Sequence, residues 1–174
     1  AAGGGRVPLS GGVFLSGALT LKSGVELFLD ASATLLASPR IEDFPVREIK
    51  HCNGPETFPR WSNRCFILAD EAENIAISGR GTIDCNGDRY VREKTGNDWY
   101  GLRFERILPD EESLPRVVLF AGCRDVTVTD VTMTGQPGGW TFWVSDCEYV
   151  SFDRCRILAN VEYPYNDGIH INSS

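Results

Sequence analysis

The sequence predicts an all-β solenoid, in which short strands stack rung upon rung into a β-helix. Short runs of β-branched and other apolar residues alternate with polar residues and are separated by Gly, Asn or Asp. Almost no stretch has the spacing of apolar residues that an amphipathic helix requires. A composite pattern also recurs at a fixed interval, and a period of roughly 20–50 residues is typical of solenoids.

The repeat is clearest in three segments that share a polar or aromatic pair followed by an apolar, small and apolar triplet. These segments are Glu73–Ser78, Arg124–Thr129 and Glu148–Asp153. The second and third are separated by about 24 residues, a spacing within the range of solenoid repeats. The first precedes the second by slightly more than twice that interval, which we interpret as two periods plus a small insertion. A neighbouring strand keeps the same step, because Cys123 and Cys147 are separated by the same interval.

The same rhythm extends over most of the chain. Val25–Leu29 lies about two intervals before the triplet at 75–77, and residues 169–174 resemble the opening of a further copy. Two segments interrupt the rhythm, at about 38–63 and 88–115, and we expect them to form long surface loops. The remaining residues correspond to about five rungs of roughly 24 residues each. A sandwich or jelly roll stays open as an alternative, although neither requires a fixed period.

The net charge and the lack of long apolar segments argue against two classes of binding partner, nucleic acids and membranes. The chain has 174 residues, 17 of them basic and 24 acidic, for a formal net charge of −7. That charge argues against binding to nucleic acid, and no segment is apolar enough to predict a membrane partner. The first residues lack the basic and apolar regions of a secretory leader, so we expect a leader to be absent or already removed.

The six cysteines form neither a CxxC pair nor a metal-like cluster with histidine, so no metal or cofactor is predicted. Cys52 and Cys65 flank the first loop, and their placement is compatible with a disulfide. Cys123, Cys147 and Cys155 are interpreted as small buried hydrophobic residues.

Aromatic and arginine residues are interleaved in and around the two loops. Flat apolar faces suit sugar rings and the guanidinium fork suits carboxylates, so the combination is typical of a cleft for an acidic polysaccharide. The alternative is that these side chains cap the solenoid or pack the loops onto it. The residues are Arg60, Trp61, Trp99, Arg103, Arg106 and Trp140.

One acidic residue stands at a turn that enters a strand. Asp167 is followed by Gly168, and glycine adopts backbone conformations that other residues avoid. Such a corner holds a carboxylate at the edge of a solenoid face, although Asn-Asp-Gly alone is also an ordinary turn signal. His170 is expected on the outer face of the strand, where it binds substrate or is solvated, and Asn172 begins an asparagine ladder or meets water.

Several segments, in a consistent order and spacing, resemble the N-terminal part of glycoside hydrolase family 28, the polygalacturonase-like enzymes. The resemblance runs from Gly3 to Ser174. Residues 79–87, Gly-Arg-Gly-Thr-Ile-Asp-Cys-Asn-Gly, are similar to the family's Gly-x-Gly-Thr-Ile-Asp-Gly-x-Gly, with Cys85 in place of a glycine. The other matching segments are 3–8, 12–23, 27–39, 115–118 and 136–141.

The resemblance implies a right-handed parallel β-helix that hydrolyses, with inversion, a uronic-acid-containing or branched pectic polysaccharide. The family's first catalytic aspartate lies in Asn-Thr-Asp-Gly, and the matching segment gives Asp167 the role of a carboxylate that helps to activate water. Tyr165 replaces the usual Asn. Beside Asp167 as the catalytic residue, the residues assigned to substrate binding are Tyr165, Asn166, His170, Trp140, Arg60, Trp61, Trp99 and Arg103.

The resemblance also implies what completes the site. Inverting hydrolysis needs an acid and a base roughly 6.5–9.5 Å apart, so one carboxylate is not enough. The family's other two aspartates form an Asp-Asp pair about one rung later, followed by Gly-His-Gly and Arg-x-Lys, and residues 1–174 end before them. We therefore expect one domain, the N-terminal part of a longer β-helix, which is inactive alone and whose general acid lies beyond Ser174. Five other aspartates do not obviously pair with Asp167: Asp84, Asp125, Asp130, Asp146 and Asp153.

Two other functions stay open at this point. A β-helix polysaccharide lyase would use Ca²⁺ and a basic residue to abstract a proton from a uronate, and no cluster of acidic ligands is evident in the sequence. A non-catalytic β-helix that binds carbohydrate is the other, because a fold does not dictate a function. In each case the partner is a polysaccharide, which implies a secreted or periplasmic protein.

Overall fold

The computed structural model is a parallel β-helix of five rungs, and it describes residues 3–52, 62–96, 101–114 and 116–174. Short 3-10 turns lie at Ile41–Asp43, Lys50–Cys52 and Gly87–Arg89. The strands in the described residues are β1 (Gly5–Leu9), β2 (Gly12–Ser16), β3 (Leu19–Thr20), β4 (Val25–Leu29), β5 (Ala33–Ala37), β6 (Cys65–Asp70), β7 (Glu73–Ser78), β8 (Thr82–Asp84), β9 (Val91–Glu93), β10 (Phe104–Arg106), β11 (Arg116–Ala121), β12 (Arg124–Thr129), β13 (Thr132–Thr134), β14 (Trp140–Ser145), β15 (Glu148–Asp153), β16 (Arg156–Leu158) and β17 (Ile169–Asn172).

Each rung contributes one strand to each of three parallel sheets. The first sheet has the order β1-β4-β7-β12-β15, the second β2-β5-β8-β13-β16, and the third β3-β6-β11-β14-β17. The prediction of an all-β parallel β-helix with about five rungs is therefore confirmed, and the sandwich alternative is excluded. Within the described ranges, no helix has the length and hydropathy that a membrane span requires.

The strand register confirms the period and corrects one interpretation of it. Arg124 pairs with Glu148, and Arg116 pairs with Trp140, so one rung here spans the interval found in the sequence. Glu73, however, pairs directly with Arg124, so their longer separation along the chain is one rung and not two. The additional residues form an insertion between β8 and β11. Another insertion, between β5 and β6, lengthens the preceding rung in the same way.

The two insertions fall where the sequence predicted long loops. The first, between β5 and β6, contains two of the 3-10 turns, and the second, between β8 and β11, contains an antiparallel hairpin formed by β9 and β10. The first insertion also has buried apolar residues of its own, since Phe44 and Ile49 are fully buried. It therefore packs against the solenoid.

Columns of apolar residues in successive rungs form the main core. Val126 lies beside Ile75, and Val128 lies between Ile77 and Phe152, because strands in a parallel sheet stack about 4.8 Å apart. A smaller cluster lies outside the third sheet, under the first insertion, and its buried members are Ile49, Cys52, Cys65, Leu68, Leu119, Ala121, Trp140 and Trp143.

The disulfide that the sequence allowed between Cys52 and Cys65 is not formed. Both are free thiols that pack as apolar groups in the cluster outside the third sheet. Burial raises the pKa of Cys52 to about 11 and that of Cys65 to about 12, so both thiols stay protonated at neutral pH. Cys123 and Cys147 are buried in the core as predicted, whereas Cys155 is only partly buried.

A histidine of the first insertion bridges three rungs. Glu71, Gly122 and Asp146 occupy the same turn position after β6, β11 and β14, and all three have positive φ, at 48°, 59° and 56°. The ring of His51 lies on Gly122, where a Cβ would collide with it. Its Nδ1 contacts Asp146, and its Nε2 is 3.2 Å from Glu71 Oε1. This contact fixes the first insertion to the solenoid.

We predict a pH-dependent loss of stability that originates at His51. The hydrogen bond to Asp146 is the main cause that holds the pKa of His51 above its usual range; Glu71 acts in the same direction, and burial and Lys50 oppose them. The stabilisation is therefore complete below the unfolded pKa and is lost as pH rises through the folded pKa. Thermal melting should show the midpoint falling from mildly acidic to mildly alkaline pH, and His51→Gln should flatten that slope.

His170→Gln is the matched control, because burial lowers the pKa of His170 and its effect lies on the acidic side. An alkaline slope that survives in His51→Gln would contradict the assignment.

Gly79 is predicted to tolerate no side chain. Its φ is +95°, and a Cβ would overlap the carbonyl oxygen of Leu29 in the rung below, which explains the first glycine of the segment at 79–87. Gly79→Ala should lower the free energy of unfolding by at least about 2 kcal/mol. Gly96→Ala, at a φ of +109° with no atom of the described residues near its Cβ position, should lower the free energy of unfolding by only about 1 kcal/mol. Equal decreases in the free energy of unfolding of the two variants, measured by urea unfolding, would contradict the steric explanation.

Candidate active site

The candidate site lies on the outer face of the third sheet, at β14 and β17. Trp143 is in register with His170, and Ser145 is in register with Asn172. The indole nitrogen of Trp143 donates to Asn172 Oδ1 at 2.8 Å. This bond ties β17 to β14, and the two roles considered for Asn172, an asparagine ladder or contact with water, stay predictions.

Asp167 lies at the end of the loop 159–168, immediately before β17. The carbonyl of Asp167 accepts from the backbone N–H of Thr141 at 2.9 Å, and that of Gly168 accepts from Phe142 at 3.0 Å. The backbone is therefore held by β14, while the side chain of Asp167 remains 54% exposed. This arrangement presents a carboxylate to solvent from a fixed position.

His170 lies close to the side chain of Asp167. Its Nδ1 is 3.8 Å from Asp167 Oδ2, and its ring stacks on Trp140 with 3.6 Å between centroids. Burial lowers the pKa of His170, although the negative charge of Asp167 acts in the other direction. The lowered pKa therefore favours the neutral form of the His170 ring at neutral pH.

In the stack of His170 on Trp140, the His170 ring is the one that a ligand can reach. Trp140 is only 5% exposed, whereas the His170 side chain is 31% exposed. His170 lies outermost, on the outer face as expected, and Trp140 supports it from beneath. Direct contact of Trp140 or His170 with substrate stays a prediction.

A buried arginine, which the sequence reasoning did not assign to the site, lies beneath the tryptophans. Arg116 is 1% exposed; its guanidinium lies 3.9 Å from the ring centroid of Trp143 and donates to Ser62 O at 2.7 Å. Burial lowers its pKa to about 10, so it remains protonated at neutral pH. The available signal was a charged residue on the otherwise apolar strand β11, one period before Trp140.

Two of the predicted substrate-binding residues lie in the loop that precedes Asp167. Tyr165 is half exposed, and the guanidinium of Arg106 lies 4.5 Å from its ring centroid. The side chain of Asn166 donates to the carbonyl of Asn160, so it braces the loop from within. The structure brings both residues next to Asp167, and their contact with substrate stays untested.

Arg103 lies farther out, on the hairpin. Its guanidinium pairs with Glu93 at 2.9 Å and approaches Glu162 at 4.0 Å. It is thus engaged by carboxylates of this chain. Three other predicted substrate-binding residues lie outside the described residues: Arg60, Trp61 and Trp99.

Local contacts engage the five aspartates that were considered as partners of Asp167. Asp130 and Asp153 pair with Arg154, and Asp146 contacts His51. Asp84 accepts from the backbone N–H of Asn86 at 2.9 Å, and Asp125 lies 3.7 Å from Arg124. In the described ranges, no group of three or more His, Cys, Asp and Glu side chains is arranged to hold a metal.

We predict that the two histidines titrate on opposite sides of their usual value of 6.5, with His51 above it and His170 below it. Ring-proton NMR shifts followed against pH would resolve both, with His51→Gln and His170→Gln providing the assignments. Trp140→Ala should raise the pKa of His170, because it removes part of the burial, and should leave His51 unchanged. A His170 that titrates at or above the usual value would contradict the described stack.

Comparison with known proteins supports the same fold. The chain is 29% identical over 143 residues to an endo-polygalacturonase of Pectobacterium carotovorum subsp. carotovorum, covering 77% of this chain and 35% of that protein. The solved structure of the Yersinia enterocolitica family 28 exopolygalacturonase matches with a TM-score of 0.73 at 20% identity, covering 95% of this chain and 35% of that one. A hyperthermoactive exopolygalacturonase from Thermotoga maritima matches with a TM-score of 0.66 at 26% identity, over 96% and 41% of the two chains.

The predicted fold, a right-handed parallel β-helix, is confirmed by these matches. The chain spans about a third of the length of the curated relatives that it matches. The sequence profile of "Glycosyl hydrolases family 28" matches residues 8–174. With this match over nearly its whole length, the chain belongs to glycosyl hydrolase family 28.

Proposed function

We propose that the complete protein hydrolyses glycosidic bonds of a pectic polysaccharide and that Asp167 supplies a carboxylate that activates water. The observation that carries this proposal is the exposed carboxylate of Asp167, which β14 holds by the backbone at the edge of the third sheet. Family membership and relatives described as endo- and exopolygalacturonases support the substrate class.

The chemistry requires that Asp167 be ionised before it can accept a proton from water. His170 lies 3.8 Å from the carboxylate, and burial lowers its pKa, so its neutral form is favoured at neutral pH. In this proposal Asp167, and not His170, accepts the proton. An attacking water held by Asp167 would approach from the exposed side of the third sheet.

A second carboxylate is needed to protonate the leaving oxygen, roughly 6.5–9.5 Å from the base in inverting hydrolysis. The five aspartates considered above are engaged in local contacts on other parts of the solenoid. We therefore place the general acid beyond Ser174, on a further rung, and propose that residues 1–174 alone do not turn over substrate.

The family match favours hydrolysis over the lyase and the non-catalytic alternatives. The partner in this proposal is the polysaccharide itself. Because a polymer of this kind lies outside the cell, the proposal includes a secreted or periplasmic location.

The test is Asp167→Asn in the full-length protein. Removing the base should lower kcat by about 10²- to 10⁴-fold with a much smaller change in KM, because the carboxylate acts on the transition state. Reducing ends released from pectic polysaccharide measure hydrolysis, and ultraviolet absorbance of an unsaturated uronate measures lyase activity in the same samples.

Asp125→Asn is the matched control. Asp125 is an exposed aspartate with a φ of 56°, which Asn tolerates, and it lies on the first sheet. It should keep full activity. An Asp167→Asn protein as active as the Asp125→Asn protein would overturn the assignment, and an unsaturated product would overturn hydrolysis.

A further inference from the structure

The hairpin of the second insertion packs against the loop that carries Asp167. The backbone N–H of Phe104 donates to Glu162 O at 3.3 Å. The rings of Phe104 and Tyr163 meet edge to face with 4.9 Å between centroids, and the hydroxyl of Tyr163 donates to Asp88 at 2.5 Å. The second insertion therefore supports the loop 159–168 through both backbone and ring contacts.

Arg106, the last residue of β10, extends this support to the residues next to Asp167. Its side chain is only 5% exposed. Nε donates to Gly138 O at 2.5 Å and Nη1 donates to Asp110 Oδ1 at 2.7 Å, so the plane of the guanidinium is fixed. The guanidinium lies 4.5 Å from the ring centroid of Tyr165.

Tyr165 has an exposed ring in a fixed position. Its φ is 56°, in a region that bulky residues seldom adopt, and the residue is 51% exposed. Shortly after it along the chain, Asp167 presents its carboxylate. A flat aromatic ring with a fixed orientation and exposed surface is the kind of group on which a sugar ring packs.

We propose that Arg106 is a positioning residue that holds Tyr165 as an aromatic platform, and that a sugar ring of the substrate packs on this platform beside Asp167. This inference rests on the proposed function and deepens it, because it names the group that binds one sugar of the pectic substrate. A ring that is already ordered by Arg106 loses little conformational freedom when the sugar binds, so the stack contributes to affinity.

The chain contains a second arginine–tyrosine stack that serves as an internal control. The guanidinium of Arg124 lies 5.0 Å from the ring centroid of Tyr149, which has a φ of 55° and is 70% exposed. This pair has the same chemistry as Arg106 and Tyr165, and both tyrosines have a positive φ. It lies on the first sheet, however, whereas Asp167 enters the third.

The experiment measures kcat and KM of the full-length protein on a pectic oligosaccharide. Tyr165→Ala should raise KM about 10-fold and leave kcat within about 2-fold, because a stacked ring contributes similar binding energy to substrate and transition state. Tyr165→Phe should keep the parent KM. Arg106→Ala should raise KM by several-fold, and Arg106→Lys should not rescue it, because a lysine cannot lie flat against the ring.

The double variant Arg106→Ala with Tyr165→Ala should have the KM of Tyr165→Ala alone, since Arg106 acts only through the ring. If the rise in KM of the double variant equals the product of the two single-variant rises, the role of Arg106 is overturned. Arg124→Ala and Tyr149→Ala should leave KM unchanged, and a rise equal to that of the Tyr165 variant would overturn the platform.

Two further outcomes distinguish a failure of the Tyr165 platform from a variant that does not fold and from a failure of the proposed function. If Arg106→Ala fails to fold by thermal melting, Tyr165→Ala against Tyr165→Phe decides the platform, and equal KM values would overturn it. If the parent protein releases no reducing ends, the proposed function fails. Calorimetric binding of the same oligosaccharide to the parent and to Tyr165→Ala then decides the platform, with equal affinities overturning it.

Discussion

Register between neighbouring rungs is the constraint on which the rest of this structure depends. Parallel strands stack about 4.8 Å apart, so each residue has a fixed neighbour one rung above and one rung below. Val128 therefore lies between Ile77 and Phe152, and the same rule brings Trp143 beside His170. The core and the candidate site are two faces of the same ladder. A shift in register would separate the site residues as well as the core residues.

The sequence predicts the parts of the fold that repeat. Triplets at a constant step predicted the rungs and their number, and a gap in the rhythm predicted both insertions. Counting the stretch between Glu73 and Arg124 as two periods was wrong, because an inserted loop adds length without adding a rung. The sequence left a disulfide between Cys52 and Cys65 open, and it is not formed, because residues at the two ends of a loop can share an apolar cluster without bonding.

The candidate site was predicted only where a local motif exists. Asp167 could be assigned because a turn motif surrounds it. The contact of Arg106 with Tyr165 was not predicted, because it depends on where the second insertion folds back, and register does not reveal that. Arg116 was not assigned to the site, although the register places it beside Trp140. In both cases a buried guanidinium lies against an aromatic ring, an interaction that stabilises the ring's position.

Both insertions leave a strand of the second sheet and rejoin the solenoid at the third-sheet strand of the same rung. The hydrogen bonding between rungs therefore does not depend on the length of the insertions. The entropic cost of closing a longer loop also grows only slowly with the number of residues. His51 shows how such an insertion is fastened, since one side chain fixes it to turns in three rungs. The stacked rungs thus keep a constant spacing whatever the length of the insertions. Either insertion can therefore change in length or sequence without shifting the register that holds the backbone of Asp167 against β14.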